Sequence, residues 1–258
     1  MKRAIIIPCF VVLVAFLATV SAAQDKKDEG AIEIGKWVPS LESGVTLTQG
    51  TYSSNWAGGG NGSIIWTFIT NAGLQRRFNA KVHGTGTLKL AYGQTHQQLH
   101  AAGGQRIWDS PEKSTDLIDA ETVFRVTLGG FVDPFASARF ESQLQDRSDP
   151  LGRGLSLNPL KFSESGGGAR VLVSREDRSV LSRLGFTLHE SSRRSFVNAT
   201  VGTDRATKSD GTTDGGIEWV TDAKSAILQK RVTWTSKLTV YQPVFFSGKK
   251  ALGDMTPA

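Results

Sequence analysis

The sequence predicts an all-β fold: an antiparallel, up-and-down transmembrane β-barrel. Three observations carry that expectation. Polarity alternates with a period of two along most of the chain. Several alternating runs reach the roughly 9–11 residues that a bilayer-spanning strand needs. Long and short connections alternate in order, as in barrels with short periplasmic turns and long external loops. About nine strands are expected here, of ten to twelve in a complete barrel.

The first element is an address. Lys2 and Arg3 precede an apolar run from Ala4 to Val20, and Ser21-Ala22-Ala23 supplies a small-residue exit. This is the layout of a secretory signal peptide, residues 1–23, cleaved near Ala23. A retained membrane anchor is the alternative. Cleavage removes two of the 30 basic residues and none of the 24 acidic ones, leaving a net charge of +4. Residues 24–42, including Trp37, read as a periplasmic lead-in, and 43–258 as the barrel.

The clearest strand is 78–92. Phe78, Ala80, Val82, Leu88, Leu90 and Tyr92 share one face, and Asn79, Lys81, His83, Thr85, Thr87 and Lys89 the other. A helix would scatter Lys81, Thr85 and Lys89 among apolar neighbours. The same alternation marks 117–128, 135–145, 182–189 and 230–241. Weaker candidates are 44–52, 63–72, 166–174 and 215–221. The prolines fall between or at the ends of these runs, as a residue that cannot donate to a ladder requires.

The connections are expected to run long or glycine-rich at 52–62, 94–114, 146–165 and 190–213. They are expected to be short at 73–77, 129–134 and 175–179, and intermediate at 222–228. A soluble sandwich has no reason to gather every long loop at one end. A chain exported to the periplasm starts its first strand outward, so its odd-numbered connections are external. Nine strands leave an unpaired edge, costly in lipid, so Ala258 is expected to be a truncation point with one or three strands missing.

A resemblance supports this reading. Trp37, a strand from Gly44, and then Ser54-Asn55-Trp56-Ala57-Gly58-Gly59-Gly60-Asn61-Gly62-Ser63 resemble the opening of a bacterial outer-membrane β-barrel family known only as domain of unknown function 3078. The motif residues are Trp37, Asn55, Trp56, Ala57, Gly58, Gly59 and Ser63. The resemblance spans roughly 36–246 and implies fold and outer-membrane location in a Gram-negative bacterium, with no activity to transfer. The family pattern continues past 231–241 with further hairpins. In physical terms the glycines permit a tight hairpin, with Trp56 across the rim. The motif is either a structural plug or a ligand-contact loop.

The inward polar set is expected to be Lys81, His83, Lys89, Asp119, Glu121, Arg125, Arg139, Glu141, Arg183, His189, Arg231 and Lys237. Opposite charges on neighbouring strands would fill a small barrel with ion pairs. A basic excess would instead give a pore anion preference. A filled interior is the favoured expectation.

Catalytic signals are weak. His96 and His100 have a spacing that could hold a metal on a helix, but the segment reads as a loop and no third ligand is evident. No Gly-x-Ser-x-Gly elbow accompanies His83 or His189. The one cysteine, Cys9, lies in the first apolar run, which excludes a disulfide scaffold and a cysteine-ligated zinc site. Charge is mixed rather than blocked, so no nucleic-acid partner is expected. No cofactor or metal is expected. The expected partners are outer-membrane lipid, lipopolysaccharide and the barrel-assembly machinery. The chain therefore reads as a non-enzymatic structural barrel or narrow pore. The alternatives are a secreted or periplasmic β-sandwich binding protein and a lipid-acting barrel enzyme.

Overall fold

The computed structural model describes residues 32–50, 61–102, 104–175, 177–198, 200, 202–227 and 232–247. The signal-peptide reading at 1–23, the motif residues Asn55, Trp56, Ala57, Gly58 and Gly59, the inward candidate Arg231, and the expected truncation at Ala258 lie outside the described residues.

Among the described residues twelve strands follow in order: β1 (Trp37–Gly50), β2 (Ser63–Arg77), β3 (Val82–His100), β4 (Arg106–Trp108), β5 (Glu112–Val126), β6 (Asp133–Ser142), β7 (Gln145–Asp146), β8 (Leu155–Ser156), β9 (Leu160–Arg175), β10 (Arg178–Phe196), β11 (Thr207–Ile227) and β12 (Val232–Phe246). Nine of them form one antiparallel meander in the order β1-β2-β3-β5-β6-β9-β10-β11-β12, with β4 folded onto the end of β3. The short pair β7-β8 stands apart. The nine expected strands match these nine. They form one continuous sheet rather than two sheets face to face, so the sandwich alternative does not describe this architecture. β1 and β12 each have a ladder partner on one side only among the described residues.

Several boundaries differ from expectation. The turn expected at 73–77 lies at 78–81, because the Asn79 side chain accepts hydrogen bonds from the backbone N–H groups of Lys81 and Val82, both at 2.8 Å. Such an Asx turn ends the strand whatever the polarity pattern around it. Phe78 and Lys81 are therefore turn residues, and Lys81 is not an inward strand residue. β1 starts at Trp37, so 37–42 is strand rather than lead-in. Pro39 lies within β1 and Pro243 within β12. Both are edge strands, where a missing donor is tolerated.

Three of the four long connections are shorter than expected, because backbone pairing carries strands beyond their apolar stretches. β3 runs on to His100, β10 to Phe196, and β11 begins at Thr207. The alternation nevertheless holds. Residues 51–62, 101–111, 143–159 and 197–206 connect strands at one end, and 78–81, 127–132, 176–177 and 228–231 at the other.

Cross-strand partners share a face, and the register sorts most of the charged and large apolar residues to opposite faces. Arg77, His83 and Arg125 stand in one row, and Lys89, Asp119 and Glu141 in another. On the opposite face, Leu47 meets Trp66, Phe140 meets Phe162, and Leu184 meets Trp219. The polar face is the sheltered one. His83, Asp119 and Arg183 are 6–7% exposed and Thr187 is 0% exposed. Leu47 is 69% exposed and Leu184 58%. The sheet is inside-out relative to a water-soluble fold, with charge within and large apolar side chains without.

Candidate functional site: an inward charge network

The site is a cluster of inward side chains near mid-strand. Arg139 on β6 grips Asp119 on β5 through two bonds, Nε to Oδ1 at 2.8 Å and Nη2 to Oδ2 at 3.1 Å. The same guanidinium reaches Glu141 at 3.2 Å. This forked geometry favours arginine over lysine. Glu121, two residues along β5, receives Lys237 of β12 at 3.1 Å and Arg183 of β10 at 3.4 Å. Arg183 also donates to Asp222 of β11 at 3.0 Å.

These contacts define the shape. Glu121 and Lys237 lie five ladders apart in the sheet. On a flat sheet that would be about 24 Å. Their direct contact requires the sheet to curl until β12 faces β5. The network thus crosses the concave interior instead of lining it.

Neighbouring positions complete the filling. Phe135 stands opposite Gly167, which stands opposite Gly185, and the Arg183 guanidinium lies 5.8 Å from the Phe135 ring centre. Ser165 and Thr187 share a hydroxyl hydrogen bond of 2.8 Å. The residual cavity among these residues is about 10 Å³, room for roughly one water.

A second inward group surrounds His189. Its Nδ1 lies 3.1 Å from Asp214 Oδ2 and its Nε2 4.0 Å from Glu218. The Tyr241 hydroxyl donates to the same Asp214 oxygen at 2.6 Å, with its ring 4.6 Å from the imidazole. A carboxylate orients the histidine, yet Ser163, its cross-strand partner on β9, forms no hydrogen bond with it. The arrangement holds the ring in place without presenting an activated nucleophile.

The structure therefore brings Asp119, Glu121, Arg139, Glu141, Arg183 and Lys237 into one network. His189 belongs to the neighbouring group. Arg125 lies beside Asp133 at 4.0 Å. His83 is buried in the row between Arg77 and Arg125. Lys89 is inward but exposed. Trp37 and Ser63 open β1's and β2's pairing as strand residues. Sequence reasoning missed Asp214, which fell between the expected connection 190–213 and strand 215–221, and Asp222, assigned to a connection, although the alternation runs straight through them. His96 and His100 lie on β3 rather than in a loop, about 13 Å apart at strand rise, too far to share an ion. Among the described residues no three His, Cys, Asp or Glu side chains converge on a metal-sized space.

At the long-connection end, 143–159 packs against the end of β10 and the connection that follows it. Asn158, 1% exposed, donates to Asp146 at 2.6 Å and to the Arg194 carbonyl at 3.0 Å, and accepts from the Arg194 N–H at 2.7 Å. Arg153, 4% exposed, pairs with Asp149 through two bonds of 2.8 Å and donates to the carbonyls of Asn198 and Asp204. Its guanidinium sits 4.0 Å over the Phe196 ring. The Arg153 hydrogen bond holds the Asp149 carboxyl down to about 2. Burial pushes the Asp146 carboxyl up, but hydrogen bonds from Ser148 and Asn158 and the charge of Arg193 together bring it below its ordinary value.

A family model described as "Protein of unknown function (DUF3078)" matches residues 47–146. The match takes in the last four residues of β1 and all of β2 to β7, less than half of the chain, and supports the presence of that unknown-function domain. No curated protein and no solved structure matches the chain.

Proposed function

We propose that this chain is an integral outer-membrane β-barrel protein, structural in role and with a filled interior rather than an open pore. The observation that carries this reading is the inversion of the two faces. Outward Leu41, Val45, Leu47, Phe68, Leu184, Phe186 and Ile217 are all more than 40% exposed, while inward arginines and carboxylates are sheltered and paired. A single apolar patch on a soluble monomer is rarely so extended. On β10 the outward run from Val180 to Leu188 is nine residues between Arg178 and Glu190, the length a tilted spanning strand needs. Glu164 is an outward acid on β9, toward the same end as Glu190.

The paired inward charges favour the structural role over the porin-like one. Opposite charges meet across the concave face, and 143–159 is pinned to the end of β10 and the connection after it. The partners of such a protein are outer-membrane lipid, lipopolysaccharide and the barrel-assembly machinery, reached after export by the leader at 1–23. A lipid-acting enzyme fits less well, because His189 lacks a bonded nucleophile.

Extraction and conductance test the proposal together. The expected result is resistance to alkaline carbonate, release by detergent, heat-modifiable gel migration and no steady ohmic conductance in a planar bilayer. Free solubility without detergent would overturn the membrane reading. A stable conductance of wild-type protein would overturn the filled interior alone.

A further inference from the structure

The arginines of this sheet divide by face. Inward Arg139 and Arg183 are paired with carboxylates. Outward Arg76 and Arg170 have no acidic partner among the described residues and lie instead against aromatic rings. The Arg76 guanidinium is 4.8 Å from the Trp37 ring centre and 5.1 Å from that of Phe78. The two rings meet edge to face at 6.0 Å. The Arg76 Nε is buried and makes no hydrogen bond. Arg170 lies 3.9 Å over Phe131, a ring that is 75% exposed in the 127–132 turn.

Both pairs sit at the short-turn end of the outward face. Arg76 stands opposite Trp37 in β1, one residue before β2 ends, and Ala169, beside Arg170, pairs with Asp133 at the start of β6. Rings that hold a guanidinium by its face leave its N–H edge directed along the rim. Two fixed cations without counter-ions, bordered on one side by apolar surface, are complementary to anionic oxygen at a bilayer interface.

We infer that Trp37-Arg76-Phe78 and Phe131-Arg170 form two separate headgroup sites, each binding the phosphate of an anionic glycerophospholipid. This rests on the membrane reading and adds to it a lipid class and a position. The rings lie at the level of the interface and the guanidinium groups receive the phosphate oxygens. Arginine suits this role because its planar fork can donate two parallel bonds to one phosphate.

The test uses the full chain reconstituted into vesicles of phosphatidylcholine with and without phosphatidylglycerol. The protein is re-extracted in detergent, and the retained lipid is measured by mass spectrometry. Wild type is expected to retain phosphatidylglycerol over phosphatidylcholine. The preference should fall about fivefold for each arginine removed in Arg76→Gln and Arg170→Gln. Arg205→Gln, at the opposite end, should keep it. Arg76→Lys with Arg170→Lys should recover part of it and guards against loss of folding in the Gln variants. Unchanged retention in the double Gln variant, or equal loss in Arg205→Gln, would overturn the headgroup sites while leaving the membrane reading intact. Failure of wild type to enter either vesicle would overturn both.

Discussion

Glu121 on β5 accepts a hydrogen bond from Lys237 on the edge strand β12 at 3.1 Å, across five ladders of the sheet. Because Arg183 reaches the same carboxylate, one acid ties β5 to two distant strands. The contact joins residues 116 positions apart in sequence. It exists only once every intervening ladder has formed and the sheet has curled, so it closes the fold rather than starting it.

Removing that acid should loosen the curl. Glu121→Gln is expected to cost about 1.5–3 kcal/mol, the range for hydrogen bonds to charged groups. A double-mutant cycle with Lys237→Gln in denaturant unfolding should return a coupling well above 0.5 kcal/mol. A coupling of zero would mean that backbone pairing alone holds β12 over β5.

The outward face makes opposite predictions in lipid and in water. Leu184→Arg falls in mid-strand on a side chain that is 58% exposed. In a bilayer it should cost about 2–4 kcal/mol and impair insertion; in a water-exposed sheet it should change stability by less than about 0.5 kcal/mol. Yield of the heat-modifiable form separates the two, and normal insertion would count against burial of this face in lipid.

The paired glycines under Phe135 should resist substitution. A methyl group on Gly167 would meet the Leu184 carbonyl oxygen and come within 2.5 Å of Gly185 Cα, both backbone. Gly167→Ala is expected to destabilise by about 1–3 kcal/mol through overpacking, visible as a lowered unfolding midpoint. A neutral result would show that β9 and β10 can separate locally without loss.

The 143–159 segment should be acid-sensitive in a defined window. Asp149 falls from 3.8 to about 2 in the folded chain because Arg153 donates to its ionised form. A carboxylate lowered on folding contributes stability that is complete above its unfolded value and is lost as pH falls through the folded one. The protection factor of amides in this segment, exchange relative to the intrinsic rate at each pH, should therefore be flat above about pH 4 and fall toward pH 2. Asp149→Asn should be less protected at neutral pH and lose that dependence. An unchanged profile in Asp149→Asn would assign the acid response to another group, with Asp146 the next to test.

Strand number and face assignment were legible because lipid-type burial and water-type burial both impose a period of two. Element ends were not. Gln94–His100 and Thr207–Asp214 are polar on both faces, so nothing in their pattern distinguishes a solvated loop from a strand whose backbone is fully paired. Asn79 carried a usable turn signal, but the alternation of Phe78, Ala80 and Val82 ran across it. For the inward set, the residue types announced pairing, and the partners did not follow: Asp119–Arg139 is a diagonal contact between neighbouring strands, since register sets Arg139 opposite Glu121, whereas Glu121–Lys237 depends on curvature. Asp214 and Asp222 went unseen for the same reason as the strand ends.

The count of strands in the meander fixes the character of its seam. With eight antiparallel ladders between them, β1 and β12 point the same way. Bringing those two edges together would therefore create one parallel ladder, with slanted and evenly spaced bonds, in an otherwise antiparallel wall. A single interposed strand would run opposite to both and keep the wall uniform. Each edge also carries a proline, Pro39 and Pro243, which withholds one donor from its strand. A seam formed between these two edges would thus be the weakest-bonded line of the wall, and the place where it would part or admit another strand.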